Sequence, residues 1–247
     1  MFPARVSGPL LVVTSIATDG GFHQGKAVVK DMLDLCLIAD DYISYLKNKG
    51  VEFNENGNPI FKKWMFLDEW PELVIPYDFR QNRLVVNPKK TLLCFYSPDV
   101  RIYPRLEKIL NERYVYQNFL GAVATDVSVT SDMDKEWQDF IMLLNQLFMA
   151  VLAVNGIKIV ANLRMGSDES LQNFEGIPSG VMWSAGFLGC KLDKPYDMNF
   201  IASVLRVRPS KFVIYGKNDV SATDKLRIMG INYRLFADYH KLRKEKA

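Results

Sequence analysis

The run GIKIVANLRMG (Gly156–Gly166), followed by IPSGVMWSAGFLGC (Ile177–Cys190), holds two apolar stretches that each end in small and polar residues. Buried parallel strands finish this way where they meet a ligand-facing edge. Outward from this pair the same rhythm repeats. Apolar runs at Leu92–Tyr96, Leu120–Thr125, Ile157–Asn162, Val181–Ser184, Phe212–Tyr215 and Ile231–Phe236 alternate with helical patterns. Alternation of this kind predicts right-handed βα units and a mainly parallel sheet.

Two of the intervening helices are well marked. Lys135–Val154 carries Trp137, Ile141, Leu144, Phe148 and Val151 on one stripe and Phe140, Leu143 and Leu147 on another, which predicts a buried helix ended by Asn155-Gly156. Asp219–Met229 reads as a second crossover helix, ended by Gly230. Nearer the amino end, Leu10–Val13 reads as a short strand. Lys26–Lys49 reads as a long helix on Val29, Leu33, Cys36, Leu37, Ala39, Ile43 and Leu46, stopped by Gly50. Val51–Phe66 reads as a projecting hairpin around Asn56-Gly57, a turn dipeptide whose two central positions need φ > 0. The segment DEWPELVIPYDFRQNRLVVNP (Asp68–Pro88) reads as an irregular connection because of its prolines. Residues 1–86 are therefore expected to form a strand-helix-hairpin extension packed on an α/β core of residues 87–247. The core is read as an incomplete or modified barrel of the (β/α)₈ type, with an open Rossmann-like sheet as the alternative.

Composition excludes several classes. At 247 residues and 49% hydrophobic the chain can fill a large core, and its formal charge of +3 permits a polyanionic partner without calling for one. Cys36, Cys94 and Cys190 are odd in number and lack paired spacing, so they support neither a disulfide framework nor a zinc site. MFPARVSGPLLVV (Met1–Val13) makes a poor secretory signal. Met142–Val154, interrupted by Asn145 and Gln146, is too short and polar to span a bilayer. A soluble protein of a reducing cytoplasm is the expectation, with no membrane partner.

If parallel strands present ligands at their carboxyl ends, the candidate residues can be read off those ends. They are Ser97 and Asp99; Thr125, Asp126 and Ser128; Asn162, Arg164 and Asp168; Ser184 and Gly186; and Tyr215, Gly216 and Lys217. Asp99 and Asp126 could serve as acid and base or share Mg²⁺ or Mn²⁺, while Arg164 and Lys217 could hold phosphate. Asn162, Asp168, Ser184 and Tyr215 would complete the ligand site. The competing structural reading pairs Asp126 with Arg164 as a buried ion pair and makes Asp99 and Asp168 helix caps.

Other features carry less. GGFHQGK (Gly20–Lys26) matches part of a phosphate-binding loop, but Ala27 replaces the Mg²⁺-liganding hydroxyl residue. His23 and His240 form no pair for a metal centre or a nucleophilic relay, Cys190 reads as a structural thiol, and HKLRKEKA (His240–Ala247) reads as a solvated terminus with a phosphate-gripping tail as the alternative. Trp64, Phe66, Trp70, Tyr77 and Phe79 interleave with Lys62, Lys63 and Arg80. Single-stranded nucleic acid sites have that composition, and so do connections pinned to a core.

The ordered motifs FYSPD (Phe95–Asp99), GAVATDVSVTSDM (Gly121–Met133), NGIKIVANLRMG (Asn155–Gly166), GIPSGVMWSAGFLGC (Gly176–Cys190) and FVIYGK (Phe212–Lys217) together resemble a bacterial and phage family, the domain of unknown function 4417. The resemblance spans about Leu84 to Phe236. Asp126, Asn162, Arg164 and Cys190 match the family pattern, whereas Thr125 and Ala161 stand where proline is usual and Met165 replaces a tryptophan. It implies a role in phage, plasmid or mobile-element biology such as DNA replication, and it supplies no reaction. The expectation is a protein that binds or processes nucleic acid or another phosphate-bearing ligand at the strand ends. A non-enzymatic scaffold is the alternative, with a plugged strand-end face and an apolar patch near Trp64 and Trp70 that would meet a protein partner.

Overall fold

All seven strands of the sheet are parallel, and their spatial order is their order in the chain: β1 (Leu73–Pro76), β2 (Thr91–Cys94), β3 (Gly121–Val123), β4 (Ile159–Asn162), β5 (Met182–Phe187), β6 (Lys211–Gly216) and β7 (Asn232–Phe236). The computed structural model describes Val29, residues 31–187 and residues 194–245, without the side chains of 194–199. The Leu10–Val13 strand, the Gly20–Lys26 loop with His23, and Cys190 lie outside the described residues.

Successive side chains of each strand go to opposite faces of the sheet. Ile75, Leu93, Ala122, Ile159, Trp183 and Phe212 join the helices in one large core. Val74, Leu92, Cys94, Val123, Val160, Met182, Val213 and Tyr215 form a second cluster on the inner face, filled by Leu67, Trp70, Leu120 and Phe236 instead of helices. Sequential strands with helices on one face curl into a half-barrel, as the barrel reading expected. An open Rossmann sheet would reverse its strand order and carry helices on both faces.

Between and around the strands lie α1 (Met32–Asn48), α2 (Asp99–Tyr116), α3 (Lys135–Val154), α4 (Lys194–Val207), α5 (Val220–Ile228) and α6 (Tyr239–Glu245). In α1 the Asp31 carboxylate caps the backbone N–H groups of Leu33 and Asp34, and Leu35, Ala39, Tyr42 and Leu46 face the core. That face is rotated from the expected one, since Leu33 and Leu37 are exposed. The Tyr42 hydroxyl donates to the Leu106 carbonyl, so the buried polar tip has a partner and locks α1 onto α2. By length and composition α3 could cross a bilayer, but it is packed inside the fold. Its polar residues bond to loops: Gln146 donates to the Asn173 carbonyl at 2.7 Å, and Gln138 to the Met133 carbonyl at 2.7 Å.

Three segments differ from the sequence reading. Leu73–Pro76, read as an irregular connection, is β1, the edge strand, where a terminal proline leaves no ladder bond missing. The expected division near Asn87 thus falls between two hydrogen-bonded neighbours, β1 and β2. The hairpin around Asn56-Gly57 exists, but only Gly57 has positive φ (+78°); Asn54 shapes the turn by accepting from the backbone of Asn56 and Asn58. It does not project: Asn58 is buried and the Phe61 N–H bonds the Gly176 carbonyl at 2.9 Å. The basic end is not a bare solvated terminus, because residues 239–245 form α6 with Tyr239 only 5% exposed.

Candidate functional site

A cavity of about 430 Å³ opens at the carboxyl edge of the sheet. Every strand reaches it: β5 and β6 through Gly186 and Tyr215 within the strands, and the others through residues that follow them, Arg164 among these. The strand-end face is therefore open, whereas the scaffold alternative expected it to be plugged.

Asp126 stands at its wall, and the chain around it is fixed from below. Asn145 of α3 accepts from Thr125 Oγ1 at 2.7 Å and from the Val127 N–H at 3.1 Å, and donates to the Val127 carbonyl at 3.3 Å. One buried amide thus holds the residues on both sides of Asp126. The Asp126 carboxylate accepts from Asn162 Nδ2 at 2.8 Å, and Arg164 Nε lies 3.9 Å from the same oxygen. Its side chain is 17% exposed. Burial pushes the carboxyl up to about 6; Arg164 and the Asn162 hydrogen bond pull it down, and the charge of Asp99 pushes it up again. An acid that titrates near 6 can both take and give a proton close to neutral pH.

The Asp126–Arg164 pair is loose for a structural ion pair. Arg164 Nε is buried and, among the described residues, has no hydrogen-bond partner. A buried guanidinium N–H without an acceptor at a cavity wall is a place for an incoming oxyanion.

Tyr96, just past β2, crosses the inner face. Its hydroxyl donates to Asn162 Oδ1 at 3.3 Å and lies 2.6 Å from Ser184 Oγ, which then donates to it. The ring fits because residue 186 is glycine: a Cβ there would meet Tyr96 Cδ1 at 2.4 Å. Tyr215 stacks on Tyr96 with ring centroids 5.5 Å apart, and its hydroxyl accepts from the Tyr239 N–H at 2.9 Å. Burial raises both phenols well above their usual range, so neither ionises near neutral pH. Burial does the same to the Cys94 thiol, which is consequently inert.

Of the residues expected at the site, the structure places Asp126, Arg164 and Tyr215 on the cavity. Asn162 and Ser184 lie buried behind it, orienting Asp126 and Tyr96. Asp99 sits on the other side of Ser128, accepting from its N–H and Oγ at 3.1 Å each, and lines a separate hollow with Trp137. It does not cap α2, whose N-cap is Pro98. Asp168, at the start of a 3-10 helix (Asp168–Gly176), and Lys217, in the loop after β6, are exposed and do not line the cavity. Among the described residues no three His, Cys, Asp or Glu side chains gather as a metal-binding group. The carboxylates lining the cavity are Asp126 and Asp238.

Sequence reasoning missed the far wall. Phe79, Arg101, Asp238, Tyr239 and His240 all line the cavity. No local pattern could bring Phe79 and Tyr239 together, and His240 was read as part of a solvated end. The reverse holds at the other edge: Phe66 and Tyr77 pin their connection to the core and Trp70 lies beneath Arg234, which leaves Trp64, 66% exposed, beside a hollow of about 390 Å³.

The chain belongs to the DUF4417 family, a domain of unknown function, which matches residues 59–234 and so takes in β1 to β6 and most of β7. No curated protein and no solved structure matches it.

Proposed function

We propose that the strand-end cavity binds a phosphate-bearing ligand, nucleic acid foremost, and processes it by proton exchange at Asp126. The observation that carries this reading is the placement of a buried Arg164 Nε, without a hydrogen-bond partner among the described residues, beside a carboxyl pushed up to about 6, both on one open cavity. Arg164 and Arg101 take the anion. Asp126 removes a proton from an attacking water or returns one to a leaving oxygen, and Asn162 keeps its carboxylate turned toward Arg164. Were the reaction to use Mg²⁺ or Mn²⁺, Asp126 would be the residue to hold the ion, which would supply charge neutralisation at the phosphate. The setting that follows from the family resemblance is the cytoplasm of a bacterial host, in phage or mobile-element biology such as DNA replication. Asp99, Asp168 and Lys217 stand off the cavity and take no part in this reading.

The test has two parts. Inorganic pyrophosphate at a hundred times its dissociation constant should stabilise the full chain by about 2.7 kcal/mol, and Arg164→Gln should abolish the shift. Labelled single- and double-stranded DNA and RNA are then incubated with Mg²⁺ or Mn²⁺ and either wild type or Asp126→Ala. Cleavage confined to the wild type supports catalysis. Binding without cleavage in either leaves a binding module, and no anion response at all ends the proposal.

A protein partner is the second reading, favoured by the exposed Trp64 at the opposite edge. Trp64→Ser would then abolish capture of that partner while leaving the pyrophosphate shift intact.

A further inference from the structure

The far wall of the cavity is aromatic, and the helix that carries part of it is basic. Phe79 and Tyr239 stack with centroids 3.6 Å apart, His240 meets Phe79 edge-on at 6.3 Å, and all three line the cavity. His240 is exposed, so its ring is accessible from the mouth. Beyond it on α6 stand Lys241, Arg243 and Lys244, all exposed, and Arg101 is exposed at the start of α2. The nearby acids are engaged: Asp238 accepts from the N–H groups of His240 and Lys241 at 2.9 and 3.1 Å, Asp78 pairs with Arg105 at 3.1 Å, and Glu245, exposed on α6, lies 3.9 Å from Lys241 Nζ and offsets part of that charge. A chain with a formal charge of only +3 thus concentrates cations on the helix that walls its cavity.

From this geometry we infer that the ligand is one nucleotide of a single strand, with its base on the Phe79–Tyr239–His240 wall, its phosphate at Arg164 and its flanking phosphates along α6. The inference rests on the phosphate-binding reading of the same cavity and narrows it. A volume of about 430 Å³ is in the range of small-ligand sites and takes one nucleotide, not a duplex. A small phosphorylated metabolite would need Arg164 and the wall but would gain nothing from Lys241, Arg243 and Lys244. Stacking on aromatic faces beside a cationic track is how single strands are held without reading sequence.

The experiment compares a labelled oligothymidylate with thymidine 5′-monophosphate, both titrated into the full chain. The expected result is an oligonucleotide affinity at least tenfold the mononucleotide's, falling with salt at a slope of about −0.7 per phosphate contact. In the triple variant Lys241→Gln, Arg243→Gln, Lys244→Gln that ratio should collapse toward one. His240→Ala should weaken binding roughly tenfold and His240→Trp restore it, a rescue that a purely structural histidine would not show. Melting curves of each variant report folding. If the mononucleotide binds and the oligonucleotide gains nothing, the single-strand inference is overturned while the phosphate site stands. If the oligonucleotide binds tightly and the triple variant leaves the ratio unchanged, the α6 track is wrong. If neither nucleotide nor pyrophosphate binds, the underlying reading fails and this one with it.

Discussion

Phe79, just past the first strand, lies face to face with Tyr239, just past the last, their planes 7° apart. The Tyr239 hydroxyl also accepts from Asn82 Nδ2 at 3.2 Å. These contacts join the two ends of an open sheet at its carboxyl edge, directly over the cavity. Tyr239→Phe should cost about 1 kcal/mol, the worth of one hydrogen bond, and Tyr239→Ala about 3 kcal/mol or more. Urea midpoints measure both, and equal midpoints would show that the ring contact contributes nothing.

The raised carboxyl of Asp126 makes stability depend on pH with a definite sign. The folded chain holds this proton up to about pH 6, against 3.8 for the free side chain. The group therefore favours folding fully below about pH 4, and that contribution disappears as pH rises through about 6. Asp126→Asn lacks the titration. From pH 4 to pH 8 the stability of wild type relative to this variant should fall by up to about 3 kcal/mol. A difference that stays flat across that window would mean the carboxyl titrates at its ordinary value.

Gly186→Ala places a methyl group 2.4 Å from Cδ1 of the Tyr96 ring. The ring has no free direction, because Tyr215 stacks on it and Ser184 binds its hydroxyl. A loss of about 1–3 kcal/mol is expected, seen as a lower melting temperature, together with a weaker response to pyrophosphate. An unchanged melt would show that Tyr96 can move out of the way.

Asn145→Leu removes the amide that serves Thr125 and both backbone groups of Val127. Those buried partners lose their bonds, and a cost of about 2–4 kcal/mol is expected. The carboxyl of Asp126 should then titrate differently, which carbon-detected NMR across pH would reveal. Loss of stability without any change in that titration would separate the support of the loop from the tuning of the acid.

How far the sequence reveals the molecule depends on the range of the forces involved. The five strands from β2 to β6 are written in largely apolar runs, since they are buried on both faces and need no distant partner to declare them; β7, an edge strand with Asn232, Arg234 and Leu235 exposed, is legible through its place in the alternation. β1 escaped because Pro71 and Pro76 bracket four residues, and an edge strand tolerates prolines that a central strand does not. At the site, Asp126, Arg164 and Tyr215 follow from the rule that parallel strands present ligands at their ends. The same rule proposed Asp168 and Lys217, which do not line the cavity. Asn145 was visible only as a polar break in an apolar helix. Its role is legible once the β3 loop is seen above it. The aromatic wall was illegible, because stacking Phe79 on Tyr239 depends on how far the whole sheet curls.

Because spatial order equals chain order, every strand meets its neighbour soon after leaving the ribosome. Synthesis from the amino end can lay the sheet down one strand at a time, with little searching for distant partners. The contacts of Tyr239 with Phe79, Asn82 and Tyr215 have to wait until α6 has emerged. A nascent chain halted before α6 would carry every described strand, a buried core and the Asp126–Arg164 pair, yet its cavity would lack the wall formed by Tyr239 and His240. Completing that cavity thus falls to α6, after the sheet has formed.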